Sequence, residues 1–327
     1  MENSVARQTP LTALATLVLT VAAAYIRFAL HPYPNECIAA GTAPLAQWLA
    51  IFAAEHRTWA ALLAIPFTVA AGIVTAQICT RFGLYNNHCL LSMPLFGVAA
   101  CGIFIGADPL SPAVAALLTA AAIYCLGSGY LRDESLEMML YAGLCMGLLP
   151  MLFAPGLLLT LMAVAAIFIF SLSAREIFVL LCSMCLIPFA VCYVTWAFGG
   201  DFTAPVQSLW QAFAGNSHSQ AFGCDAVAAL TLAGLAGFDI VCSAAIFFDD
   251  RYAMAVKPRG ILFFIITVSL AAAAMFVLPS ASTAVFAPAA VPLSVLMPLL
   301  FLRIRQGWAM ALYCSTFAVV LLHFVVA

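Results

Sequence analysis

Charge is what this chain has least of. Only 7% of its 327 residues are Asp, Glu, Lys or Arg, while 66% are hydrophobic. Soluble domains run near 25% charged and about 45–50% apolar. A soluble globule of this length cannot hide so much apolar surface, because burial grows slowly with size. The shortage excludes a soluble enzyme, a nucleic-acid-binding protein and a disordered chain, and it demands lipid as solvent. Recognisable chemistry motifs are missing too. There is no P-loop, no GxGxxG, no HExxH and no paired-carboxylate motif, so nothing in the sequence calls for a cofactor.

What is present is apolar and long. Eleven runs approach the roughly 20 residues that a membrane-crossing helix needs: 11–30, 58–79, 89–107, 113–131, 136–153, 156–173, 177–198, 226–248, 261–278, 285–302 and 308–326. Barrel strands would instead alternate over about 10 residues. Unbroken runs mean helices, which satisfy their own backbone hydrogen bonds in lipid. The expected fold is an all-α membrane protein, a polytopic bundle of about eleven transmembrane helices in one integral domain, with two short interfacial helices on its outer side. The run over 11–30 is long for a signal-peptide core and reads as a retained span.

The cations test this map. With a cytoplasmic N-terminus, Arg7, Arg81, Arg132, Arg175, Arg251, Lys257, Arg259, Arg303 and Arg305 fall inside, and Arg27 and Arg57 fall outside. That split follows the positive-inside rule of a bacterial inner membrane, and it leaves the C-terminus outside. The same map sets Trp48, Trp59, Trp196 and Trp210 at the outer interface, where amphipathic rings prefer to sit. Most of the twelve cysteines lie within spans and act as small hydrophobes. Cys182 and Cys185 form a CxxC in mid-span without a second pair, which reads as packing. Cys37 and Cys224 both fall on the oxidising side, which permits a disulfide between them.

Two outer connections are long, 31–57 and 199–225. Each holds a short amphipathic helix: Leu45, Trp48, Leu49 and Phe52 in the first, Val206, Leu209, Trp210 and Phe213 in the second. Each opens on Thr-Ala-Pro, Thr42 to Pro44 and Thr203 to Pro205, and Gly215 can end the second. A dozen residues cannot span a bilayer, so each helix is expected to lie in the interface. They are either two lipid-facing helices or a pair of flaps framing a site.

Polar residues gather on the same side. His31, Glu36, Glu55, His56 and Arg57 are on the first loop, and Asp201, His218 and Asp225 on the second; Asp108 and His323 belong to this side as well. Outer loops also hold polar groups simply because they touch water. Arg27, one turn below the first loop, either snorkels to the interface or clamps an anion. Glu36 could take a proton from a hydroxyl, and His31, His56 or His218 could serve instead. The spacing of His31, Glu36, His56 and His218 is not that of a metal site, and no metal is assigned.

One inward-to-outward span, an acid-bearing outer loop, interfacial helices and many further spans: this order resembles the multi-span GT-C glycosyltransferases that use lipid-phosphate sugars. The comparable run is Pro34-Asn35-Glu36-Cys37-Ile38-Ala39-Ala40, in which Asn35 stands where that family often has its first acid. The resemblance implies that Glu36 is the base for the acceptor. A polyprenyl-phosphate-linked substrate would then lie among membrane lipid, with Arg27 and Arg57 on its phosphate. The middle of the chain, through Gly143, Gly147, Pro155, Ser173, Arg175, Glu176 and Pro188, is similar to an uncharacterised family of bacterial polytopic membrane proteins, which implies no chemistry.

Two other classes stay open. Asp239, inside the eighth run, is a carboxylate at membrane depth, which suits a proton- or ion-coupled transporter. Gly234 and Gly237 beside it would let another helix approach. The alternative is a protonated acid bonded to a neighbouring hydroxyl. Pro288, Pro292 and Pro298 mark the tenth run as a broken helix. The third class is a non-catalytic subunit of an envelope complex, with membrane-protein partners docking on the Gly143-xxx-Gly147 face.

Overall fold

The computed structural model describes residues 9–30, 43–85, 90–101, 108–131, 136–215, 226–250 and 255–326. Its elements are helices, and no strand occurs among the described residues. In chain order they are α1 (Pro10–Leu30), α2 (Pro44–Glu55), α3 (Arg57–Arg81), α4 (Ser92–Cys101), α5 (Leu110–Leu131), α6 (Leu136–Leu152), α7 (Leu161–Phe170), α8 (Ala174–Ala197), α9 (Ala204–Ala214), α10 (Ala226–Asp250), α11 (Val256–Met275), α12 (Phe286–Arg303) and α13 (Gln306–Val326). Single 3-10 segments, Ala154–Thr160 and Thr283–Val285, lead into α7 and α12. Each apolar run contains a helix, and the two amphipathic segments are α2 and α9. Among the described residues five helices, α3, α5, α8, α11 and α12, are long and apolar enough to cross a membrane.

Local chemistry explains several boundaries. Pro155 cannot extend α6, and the chain turns through extended Phe153 into the 3-10 segment. α7 stops at Ser171, in the left-handed region at φ 51°. α8 opens with a capping box: the Ser173 hydroxyl accepts from the Glu176 backbone N–H, and the Ser173 N–H donates to the Glu176 carboxylate at 2.7 Å. Ser173 and Glu176, part of the motif that resembles the uncharacterised family, thus start a helix. Thr203 stands at the N-cap of α9 but makes no cap bond with its side chain.

α12 forms the centre of the bundle, packed against α3, α4, α5, α10 and α11 and buried along nearly all its length. Pro292 and Pro298 interrupt its ladder. Two hydroxyls from neighbours donate into its middle: Tyr85 to the Val295 carbonyl, and Ser243 Oγ to the Leu296 carbonyl at 3.1 Å.

Glycine brings backbones together at two seams. Leu17 of α1 wedges against Gly72 of α3 and Gly97 of α4. Gly143 and Gly147 of α6 take α8 at backbone contact. A Cβ on Gly143 would meet Ser183 and the Leu180 carbonyl, and one on Gly147 would meet the Met184 carbonyl. The GxxxG face expected to dock another protein is therefore occupied by this chain's own α8. α8 itself is peripheral and otherwise touches chiefly α9. Gly234 and Gly237 are the reverse case. Among the described residues nothing comes within 4 Å of either, so the close helix approach expected beside Asp239 does not occur there.

The two ends of the bundle differ in charge. Arg81 at the end of α3 bonds Tyr124 of α5, and Lys257 Nζ at the start of α11 donates to the Leu131 carbonyl at 3.1 Å. Tyr130 stacks on Phe170 at 4.5 Å, and Phe170 meets Phe264 at 4.9 Å. These contacts gather the last turns of α3, α5 and α7 with the first of α11. α6 and α8 run in the same direction, which puts Arg175 at this end. Phe276 of α11 meets Phe286 of α12 at 4.8 Å, so these two helices are antiparallel and Arg303 and Arg305 join the same end. Arg57 opens α3 at the other end, and the position of Arg27 is near the last turn of α1 there.

Candidate functional site at the cation-poor end

The two short amphipathic helices meet. Ala43 before α2, Ala46 of α2, and Leu209 and Ala212 of α9 close a small core over Met151 and Ala154, where α6 bends into the 3-10 segment. Leu45 and Phe213 pack against it. The buried seam runs mainly along small residues. The larger apolar side chains of both helices turn away from it: Trp48 is 76% exposed and Trp210 64% exposed. Trp59 and Trp196, in the first turn of α3 and the last of α8, are exposed at the same end. Four of the five tryptophans thus form an outward-facing belt around it.

The joint between α2 and α3 carries two of the expected site residues. His56 ends α2, its ring edge-on to Phe52 at 5.6 Å, and its side chain is exposed. Arg57 is the first residue of α3 and half-buried, and Glu55 is exposed. Asp201 is exposed in the turn between α8 and α9, where its carbonyl accepts from the Ala204 N–H at 3.1 Å. His31, Glu36, Cys37, His218, Cys224 and Asp225 lie outside the described residues. Arg27 and Asp239 have described positions on α1 and α10, but their side chains fall outside the description.

A polar cluster that sequence reasoning missed lies deeper. Arg81 beside Tyr124 and Phe82 against Gly127 set α3 and α5 side by side and parallel. Leu110 opens α5 fourteen residues before Tyr124, which brings it level with residue 67, ten residues inside the start of α3. At 1.5 Å per residue, α5 begins about 15 Å below that start. Tyr25 of α1 confirms the register, its hydroxyl bonding Thr68 of α3 at 3.0 Å while both side chains are buried. Asp108 caps the recessed helix, accepting from the Leu110 N–H at 2.9 Å, from the Ser111 N–H at 3.3 Å and from the Ser111 hydroxyl. Its carboxyl and the Cys101 thiol are close enough to Tyr25 to act on it electrostatically. Burial pushes the Asp108 carboxyl up from the usual carboxylate range, and its bonds from Ser111 and Leu110 pull it part of the way back. Asp108-Pro109 directly before an apolar run is a helix-start signal; what was hidden is its depth.

The end therefore offers an imidazole and a guanidinium at the rim, hydroxyls and a carboxyl further in, and an apolar aromatic belt outside. Among the described residues no three His, Cys, Asp or Glu side chains group as metal ligands. No family model, curated protein or solved structure matches the chain.

Proposed function

We propose that the chain is a multi-pass protein of a bacterial inner membrane with about eleven spans. Its N-terminus is cytoplasmic, its C-terminus outside, and its cation-poor end works on an anionic, lipid-linked substrate in the outer leaflet. The reaction that suits such a substrate is glycosyl transfer from a polyprenyl-phosphate sugar, in the manner of the GT-C enzymes that the chain's layout resembles. Orientation follows from the charge of the ends: the cation-rich end belongs in the cytosol. The helices shorter than a bilayer thickness, such as α4 with ten residues, reach a full span with the flanking apolar residues of their runs.

One observation carries the reading. α2 and α9 come from loops far apart in sequence, yet they meet at the cation-poor end with their tryptophans outward. Two unrelated interfacial helices would have no reason to share a seam. A lipid tail can lie along the aromatic belt while Arg57, with Arg27, holds the phosphate by paired N–H donors. Glu36, or a histidine beside it, then takes the proton of the acceptor hydroxyl.

The test is transfer of labelled sugar from polyprenyl phosphate in vesicles holding the purified chain. Arg57→Ala removes one electrostatic clamp in a low-dielectric site and lowers the rate by ~10²–10³-fold. Glu36→Gln abolishes transfer, and both variants still insert. Unchanged transfer in both removes the glycosyltransferase reading.

A further inference from the structure

A second site lies in the bundle's interior, independent of the cation-poor end. Pro292 and Pro298 have no N–H, so the carbonyls of Pro288 and Ser294 lose the donors that a regular helix would give them. Pro288, Pro292 and Leu296 recur every four residues and share one face of α12. That face meets α10, because Ser243 of α10 donates to the Leu296 carbonyl. The buried stripe of α10 runs through Phe247 and Ser243, with Ile240 and Ala244 half-buried beside it. Asp239 occupies the position one turn above Ser243 on that stripe. α11 runs antiparallel to both neighbours, so α10 and α12 run parallel, and one turn above Leu296 on α12 is Pro292. The chain thus sets its intramembrane acid level with a proline break and next to a carbonyl that the break frees.

We propose that α10 and α12 form a binding site for a sodium-sized monovalent cation, with Asp239 and the Pro288 carbonyl as its principal ligands. Such a cation takes oxygen ligands, and broken helices in membranes supply them from carbonyls freed of their helix donors. A carboxylate at this depth needs a partner. The basic residues of the adjoining helices, Lys257, Arg259 and Arg303, all stand at the cation-rich end. The nearest hydroxyl on the stripe, that of Ser243, is committed to Leu296. A bare proton would neutralise Asp239 but would leave the carbonyl without a partner; a cation satisfies both.

Thermal unfolding of the purified full chain in detergent tests this, with NaCl replaced by choline chloride at fixed pH and ionic strength. Sodium raises the midpoint of the natural chain saturably, as a ligand of the native state must. Asp239→Asn abolishes that rise. Pro292→Ala restores the N–H that the Pro288 carbonyl lacks. It weakens sodium affinity by about tenfold through loss of a ligand, while the sodium-free midpoint stays level or rises. If Asp239→Asn fails to fold, Pro292→Ala decides alone. An equal sodium response in the natural chain and Pro292→Ala, or a midpoint that follows pH and ignores sodium, overturns the site.

Discussion

Gly147→Ala is the sharpest probe of how the bundle is held. α8 is anchored mainly through the Gly143 and Gly147 seam of α6, and a Cβ at 147 would meet backbone. It would overlap the Met184 carbonyl oxygen and stand 3.1 Å from its carbon and 3.3 Å from Met184 Cα. Backbone cannot rotate away, so the two helices must separate. Overpacking of this kind costs about 1–3 kcal/mol, and the upper part of that range applies where no side chain can yield. Alanine returns about 1 kcal/mol of helix propensity, leaving a net loss near 2 kcal/mol. With about 2.1 cal/mol/K of unfolding entropy per residue, a chain of this size shifts its midpoint by about 1.5 °C for each kcal/mol. Gly147→Ala should therefore melt about 3 °C below the natural chain. Gly237→Ala is the matched control, since nothing described comes within 4 Å of it; its propensity gain should appear as a rise of about 1.5 °C. Thermal unfolding by intrinsic fluorescence in detergent reads both. The same sign of shift in the two variants would refute the α6–α8 packing argument.

Other outcomes follow from the polar cluster and the caps. Asp108→Ala removes the cap of α5 and should cost about 0.5–2 kcal/mol in a denaturation series, whereas Asp108→Asn keeps an acceptor and should cost less. Burial raises the Asp108 carboxyl in the folded chain, so its contribution is fully present below the ordinary carboxylate value. It is lost as pH rises through the raised one, and Asp108→Asn should flatten that segment of the stability profile. Tyr25→Phe removes a buried bond but leaves Thr68 its bond to the Ala64 carbonyl at 2.9 Å, so the loss should stay near 1 kcal/mol in the same assay. Ser173→Ala breaks the capping box of α8 and should cost about 1 kcal/mol.

The helices were legible because lipid imposes one rule on every span: a long apolar run must form its own hydrogen bonds. The amphipathic period announced α2 and α9 in the same way. The period did not reveal which face they bury, because Ala46 and Ala212 pack where large residues were expected and Trp48 and Trp210 turn outward. Gly143 and Gly147 were recognisable as a close-packing face, but their partner, Leu180 to Met184, is set by the folded arrangement and by no local signal. The same holds for Tyr25 and Thr68, 43 positions apart and joined only in space. The recessed start of α5 escaped because periodicity locates a helix along the chain and not along the membrane normal. Of the expected site, His56, Arg57 and Asp201 come to the cation-poor end, while Glu36, His31, His218 and Asp225 fall outside the described residues.

The account stands most directly on where an anionic lipid sits. A photoactivatable polyprenyl-phosphate analogue, cross-linked to the natural chain in vesicles and mapped by peptide mass spectrometry, measures that. The labels should concentrate on α2, α9 and the opening turns of α3, and Arg57→Ala should deplete them. Labels spread evenly around the apolar perimeter, or gathered beside Arg81 and Lys257 at the opposite end, would contradict it.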